Sequence, residues 1–356
     1  MFLKLILYPF SICYGLTMTV RNLLFDWGIL HSEKFDRAVI SIGNLSVGGT
    51  GKTPMIEYLI RLLQPTDLLA TLSRGYGRKS DGFLIVSKRT NVKYSGDEPL
   101  QIAKKFEEVK VAVDENRKRG ISLLLEKYPD LNVILLDDAF QHRYVKPGIS
   151  LLLTDYHNMY TEDRVIPSGT LREFTQGASR ADLIVVTKTP KLFSPITRRR
   201  ILEDIGPKSH QQVVFSYFQY GEFQPFFESA DFELPQKFST LFLFTGIAND
   251  SPLQEHLERM CTELISVKFP DHHQYSIRDM ESLVKKFNDL PTQKKIMITT
   301  EKDRMRLKIP ELSNILKKLP LFYLPVQIEF HGHDKELFTN YILNYVATTK
   351  RNRRVS

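Results

Sequence analysis

The stretch Ala38-Val39-Ile40-Ser41-Ile42-Gly43-Asn44-Leu45-Ser46-Val47-Gly48-Gly49-Thr50-Gly51-Lys52-Thr53 constrains the fold of this chain more than any other. It opens on a short, largely apolar run, as a buried parallel strand requires. From about Lys52 to Leu63 the pattern turns helical. Met55, Ile56, Leu59, Ile60 and Leu63 fall on one side, and Pro54 sits in the first turn, where a missing N–H costs nothing. Between strand and helix, small residues ahead of Gly51-Lys52-Thr53 let backbone N–H groups converge on phosphate oxygens, and the helix start adds its partial positive charge. In such a loop Lys52 contacts the terminal phosphates of ATP and the Thr53 hydroxyl ligates Mg²⁺. Ser46, Val47, Gly48, Gly49, Thr50, Gly51, Lys52 and Thr53 are therefore the candidate nucleotide-binding residues. The general spacing G-x-x-x-x-G-K-[ST] puts its first glycine at position 46, which here is Ser46; Gly48-Gly49 are the candidates to supply the flexibility instead. A glycine turn that merely joins strand to helix is the competing reading, and a Lys-Thr pair at this spacing argues against it.

Around the loop, strand-like runs recur at 68–72, 83–86, 109–113, 133–136, 149–153 and 183–186, with helical stretches such as 115–128 between them. Strands alternating with helices predict a parallel sheet covered on its faces. From Phe215 towards Pro235 the chain is aromatic without helical period, which suits a crossover. Runs at 241–244, 264–267, 296–298 and 321–324 then alternate with helical segments at 252–260 and 277–287. The expected fold class is α/β: a P-loop NTPase-like parallel sheet over 31–215, and a second, smaller α/β domain over 216–350 that closes a cleft. At 356 residues, two domains are the natural division.

Residues 1–30 are largely apolar, with Phe2, Leu3, Phe10, Leu16, Val20 and Trp27 among them. Lys4 and Arg21 bracket a stretch that Pro9 and Gly15 interrupt, shorter than the ~20 residues a bilayer span needs. An N-terminal helix lying in the membrane interface is the expectation, against a helix packed on the protein's own core. The net charge of +8 attracts polyanions, whether nucleic acid, anionic lipid headgroups or a phosphorylated substrate, and charge alone does not choose among them. The end, Lys350-Arg351-Asn352-Arg353-Arg354, reads as a mobile basic tail that either solubilises or touches lipid. Two distant cysteines exclude a disulfide framework and a cysteine zinc site.

A metal-holding carboxylate is expected at the end of a neighbouring strand. Val133-Ile134-Leu135-Leu136-Asp137-Asp138 offers it, although paired acids also form turns. Asp97-Glu98-Pro99 reads on its own as a helix start with acids in its first turn.

Ile42 to Pro54, Ser73-Arg74-Gly75-Tyr76-Gly77, Gly96-Asp97-Glu98-Pro99, Asp137-Asp138-Ala139-Phe140-Gln141-His142, Pro167-Ser168-Gly169-Thr170-Leu171-Arg172-Glu173 and Phe269-Pro270-Asp271-His272-His273 follow one another in an order that resembles the tetraacyldisaccharide 4'-kinase (lipid A 4'-kinase) family. Ser46 agrees with that family's loop, and Ala139 stands where the family commonly has Gly. The resemblance implies phosphoryl transfer from Mg-ATP to the 4'-hydroxyl of a lipid A disaccharide precursor that already carries a 1-phosphate. It further implies a peripheral or monotopic place at the cytoplasmic face of a Gram-negative inner membrane, and no nucleic-acid partner. It makes Asp97 the base, paired with His272, with the adjacent His273 as the alternative, and aided by Lys52. Thr53, Glu98 and Asp138 become the metal candidates, with Asp137 behind them. Arg74, Gln141, Arg172 and Glu173 become the substrate-binding candidates, with Arg117 a weaker one. Thr300-Glu301-Lys302-Asp303 also resembles a family segment and suggests nucleotide contact or domain closure. The main rival is a membrane-associated P-loop ATPase that switches partners, although Val47 stands where such proteins carry an extra Lys. A nucleic-acid-binding ATPase rests on charge alone.

Overall fold

The computed structural model describes residues 2–227, 234, 237–292 and 294–355. The chain begins with α1 (Phe2–Asp26), β1 (Ala38–Asn44), α2 (Lys52–Leu63), β2 (Leu69–Ser73) and β3 (Leu84–Val86). Next come α3 (Val92–Ser95), α4 (Asp97–Lys105), β4 (Lys110–Val113), α5 (Arg117–Lys127), β5 (Val133–Asp137), β6 (Ile149–Asp155), β7 (Leu183–Thr187), α6 (Pro195–Ile205) and β8 (Gln212–Tyr220). Then follow β9 (Gln224–Pro225), β10 (Phe238–Thr245), α7 (Ser251–Glu258), β11 (Cys261–Lys268), α8 (Ile277–Asn288), β12 (Lys295–Thr300), α9 (Glu301–Leu307), α10 (Pro310–Leu316) and β13 (Leu321–Leu324). β14 (Val326–Phe330) and α11 (Asp334–Val355) close the chain.

Two compact units result: one runs to Phe218 and resumes at Ile328, the other is Gln219–Gln327. The larger carries a nine-stranded sheet in the order β14-β8-β7-β6-β1-β5-β2-β4-β3. β1 lies between β5 and β6, parallel to both, and every residue of it is buried. Its alternate side chains serve two cores. Ile40 and Ile42 meet Met55, Ile56, Leu59, Ile60 and Leu63 of α2 and Phe338, Ile342 and Val346 of α11. Val39 packs with Ile134 and Leu136 of β5 and Ile121 and Leu124 of α5. Each α2 residue in that row is fully buried, so truncating one to alanine costs about 2–5 kcal/mol.

The smaller unit has a five-stranded sheet ordered β11-β10-β12-β13-β9, with β10 parallel to β11 and β12, and β9 antiparallel to β13. Phe242, Phe244, Met280, Leu283, Phe287 and Met297 fill one of its cores.

Three expectations change. Phe215 to Tyr220 is not crossover but the end of β8, which pairs in parallel with β7; the onward stretch to Pro235 lies partly outside the described residues. The smaller unit stops at Gln327 rather than 350, because β14 joins the larger sheet and α11 packs on it. Arg198 grips Asp334 through two 2.7 Å bonds, Asp334 accepts from the Phe215 N–H, and the Tyr345 hydroxyl accepts from the Val39 N–H at 3.1 Å. The basic end is likewise no loose tail. α11 continues to Val355, and Lys350 pairs with Asp67 at 2.5 Å.

α1 packs one side on the larger unit, as the competing reading of it had it. Ser11, Gly15, Asn22 and Phe25, at helical spacing, face the larger unit. Ser11 donates to the Ser168 hydroxyl at 2.8 Å, Asn22 donates to Glu173 at 2.7 Å, and Phe25 packs edge-on against Tyr144. A Cβ at Gly15 would come within 2.4 Å of the Phe174 ring, so only glycine allows that approach. The opposite side is apolar and exposed, with Phe10 at 63%, Leu16 at 54% and Val20 at 57%, and Trp27, just past the helix, is 69% exposed. Among the described residues no helix is long and apolar enough to cross a membrane.

Candidate active site

The loop after β1 is built to leave its helix end open. Gly51 precedes α2 with φ 88°, a left-handed conformation that glycine adopts without strain, and no side chain caps the helix. The departure at Ser46 has a backbone explanation. Ser46 forms an antiparallel bridge with Leu171, flanked by Val47 N–H to Thr170 O at 2.8 Å and Arg172 N–H to Leu45 O at 2.7 Å. Ser46 is not among the residues with positive φ, so nothing there demands glycine. Flexibility enters at Gly48, with φ 129°, and Gly51.

The Lys52 ammonium lies 3.3 Å from Asn44 Oδ1 and 3.6 Å from Asp138. Asp138 follows β5 with φ 47° and accepts from Arg172 Nη1 on both oxygens, at 3.0 and 3.1 Å. Gly43 lets this turn close in, since a Cβ there would meet Phe140 at 2.7 Å. Burial opposes the charge on Asp138, but Lys52 and Arg172 outweigh it and hold its carboxyl below the usual range. Asp137 behaves oppositely. Burial first, then repulsion from Glu98 and Asp138, push it up to about 7 against the pull of Lys52 and Arg117. Its Oδ1 is buried without a hydrogen-bond partner. Arg117, 2% exposed, braces this corner by donating to the backbone carbonyls of Asp114 and Asp137 at 2.8 and 3.2 Å. Burial lowers it to about 10, and Arg74 nearby adds repulsion.

Glu98 is half-buried and within electrostatic reach of Asp137, so the start of α4 borders the same corner. Asp97 is 6% exposed, and its Oδ1 accepts from the Glu98 N–H at 3.0 Å. Gly96, with φ 85°, starts α4 without a side-chain cap. Gln141 donates to Asn44 O at 2.9 Å and to Glu173 at 3.1 Å, and accepts from Arg172 at 3.4 Å. Glu173 stands behind this face. It is 2% exposed, and Asn22, Gln141 and Arg180 all donate to it.

In the smaller unit, His272 has φ 57°, and its ring nitrogens lie 3.2 Å from Arg306 and 3.3 Å from Lys302. The neighbouring His273 is engaged differently, bonded to Asp279 at 3.1 Å and stacked on Phe269. The Thr300–Asp303 segment caps α9, with Thr300 Oγ1 accepting from the Asp303 N–H.

A mostly parallel sheet, antiparallel at β3, whose central strand runs through an uncapped glycine loop into a helix, with a lysine in reach of a strand-end acid, is a P-loop NTPase-like fold. The tetraacyldisaccharide-1-P 4'-kinase (LpxK) family profile matches residues 3–347. The tetraacyldisaccharide 4'-kinase of Bacteroides thetaiotaomicron is 45% identical over 97% of this chain and 94% of its own length. That of Flavobacterium johnsoniae is 45% identical over 97% of both. A crystal structure of LpxK from Aquifex aeolicus in complex with ATP superposes with a TM-score of 0.70 at 30% identity, covering 95% of this chain and 98% of that one. The chain belongs to the tetraacyldisaccharide 4'-kinase family and is a kinase. The partner-switching ATPase is thereby not favoured.

Sequence reasoning missed Asn44 as a partner of Lys52, and it also missed Asp155, Thr187 and Lys188 at the ends of β6 and β7. Those last three carried a signal of the kind that exposed Asp137-Asp138, an apolar strand ending in polar side chains.

Proposed function

We propose that this chain transfers the γ-phosphoryl group of ATP to the 4'-hydroxyl of a tetraacyldisaccharide 1-phosphate. The observation that carries this reading is the uncapped loop with Lys52, Asp138 and Arg172 joined beside it. The loop amides and Lys52 bind and orient the phosphates, and Arg172 adds a second cation. In the transfer, the acceptor oxygen forms a bond to the γ-phosphorus, the bond to the ADP oxygen breaks, and the hydroxyl proton passes to Asp97. His272 shares the handling of that proton, as the family resemblance implies. Arg74 and Gln141 contribute to substrate binding, and Glu173 acts by holding Gln141 in place.

The residues present fit Mg²⁺. Asp137 keeps an unpartnered buried oxygen, and Glu98 and Asp138 crowd it with negative charge that a cation would relieve. Among the described residues no three His, Cys, Asp or Glu gather as a metal site. Thr53, Glu98 and Asp138, with Asp137 behind, would hold Mg²⁺; the ion would neutralise charge on the phosphates.

The exposed apolar side of α1 supports docking on a lipid surface, which we assign to the cytoplasmic face of the inner membrane, where such a substrate would be met. Trp27, the single tryptophan, reports on this. Its emission should shift to the blue with anionic phospholipid vesicles, and an unchanged spectrum would refute the docking. For the activity, labelled ATP and a lipid A disaccharide precursor in detergent decide the matter: label must move to the lipid. Hydrolysis without transfer would sink the kinase assignment.

A further inference from the structure

β6 and β7 end side by side, with Asp155 opposite Thr187 in parallel register, and Lys188 comes next. Lys188 is a non-glycine residue with φ 58°, a conformation L-residues adopt only when the surroundings impose it. Its side chain is 4% exposed and its ammonium lies 2.7 Å from the carboxylate of Asp155, whose side chain is 7% exposed. The same ammonium donates to the carbonyl of Gly49, in the middle of the phosphate loop. One residue earlier, the Thr187 hydroxyl lies 2.9 Å from Thr50 O and 3.1 Å from Thr154 O, one proton serving both.

These contacts have a geometric consequence for the loop. A trans peptide points its C=O and its N–H to opposite sides. Holding the Gly49 and Thr50 carbonyls towards the end of β7 therefore turns the N–H groups of Thr50 and Gly51 away from it. The Thr50 N–H rests meanwhile on Gly48 O at 3.1 Å. Glycines at 48 and 51, with φ 129° and 88°, leave the loop soft on both sides of this segment. A soft loop needs an external brace if its amides are to be arranged before the anion arrives. A buried ion pair is a poor source of stability compared with apolar residues of the same volume, so packing alone does not account for a lysine and an aspartate here.

We propose that Lys188 and Asp155 are positioning residues of the phosphate loop. Asp155 fixes the ammonium, the ammonium fixes the Gly49 carbonyl, and Thr187 fixes the next one, so that the loop is shaped to receive ATP. The proposal rests on the reading of the loop as the ATP site.

The test removes both charges together, as Lys188→Met with Asp155→Asn, so that no lone charge stays buried. The expected result is a folded protein whose Kd and KM for ATP rise about tenfold or more, while the KM for the lipid acceptor stays within about twofold. ATP affinity equal to that of the unaltered protein, or equal rises in both KM values, would overturn the proposal. Thr187→Val is the milder companion, informative even if the double variant fails to fold. It should raise the ATP KM about threefold and leave the lipid KM alone, and an unchanged ATP KM counts against the brace. Lys52→Ala runs in parallel. If it keeps full turnover, the loop is not the ATP site and the functional reading falls. If it is inactive while the Lys188 and Thr187 variants bind ATP normally, only the positioning role falls.

Discussion

Two junctions in this chain share one plan and differ in one respect. β1 leads into α2 and β12 into α9, each a buried parallel strand feeding a helix. At the second, side chains seal the helix. Thr300 accepts from the Asp303 N–H at 3.1 Å, and the Asp303 carboxylate, wholly buried, accepts from Thr300 Oγ1, the Gly246 N–H and Arg306. At the first, Gly51 offers no side chain and the helix start stays open. The same supersecondary step is structural where its own residues take the N–H groups, and a phosphate receptor where glycines leave them.

The largest expected effect breaks the open junction. Lys52→Ala should lower turnover by about 10³-fold or more, measured as label transferred to lipid, because the loop's own ammonium, 3.3 Å from Asn44 and 3.6 Å from Asp138, is lost. Next, Asp97→Asn should lower kcat by about 10²-fold or more while the ATP KM moves only a few-fold. A change mainly in KM would make Asp97 a structural or metal-holding group. Third, Thr300→Ala unseals the other junction. It should cost about 1 kcal/mol in denaturant unfolding and leave the ATP KM unchanged, whereas a large KM effect would mean that the two junctions are not different in kind.

The smallest effect is one of pH. Asp137 is raised from 3.8 to about 7 in the folded protein. Between about pH 4 and 7 the folded form therefore holds a proton that the unfolded chain has already lost, so its contribution is full below about pH 4 and disappears as pH rises through about 7. Melting temperatures of the nucleotide-free protein and of Asp137→Asn, measured from pH 4 to 8, should differ in slope. The unaltered protein should lose stability relative to the variant as pH rises, and parallel curves would remove the raised Asp137 from the account.

Much of the larger unit was legible because its signals are local. Lys52 to Leu63 was delimited to the residue, since Gly51, Pro54 and a five-residue apolar row lie within one short window. Asp137-Asp138 announced itself at the end of an apolar strand. What escaped depends on partners far along the chain. Lys188 reaches a loop 139 residues away, and nothing beside it in sequence names Gly49. The return of β14 and α11 was missed for the same reason, because Tyr345 is written for Val39, 306 residues upstream. Phe215 to Tyr220 misled because aromatic residues without helical period describe an outer strand as well as a linker. For α1, hydropathy identified the apolar character but not the burial, because the side facing the protein is, Phe25 apart, small or polar.

That return of the chain also orders events during synthesis. The smaller unit is complete at Gln327, but the larger lacks β14 and the buried row Phe338, Ile342 and Val346 until the last segment has been made. The unit begun first is therefore finished last, after the inserted one has every strand it needs. A chain cut short near residue 330 would keep the whole glycine loop, yet leave one face of the sheet behind it open to water.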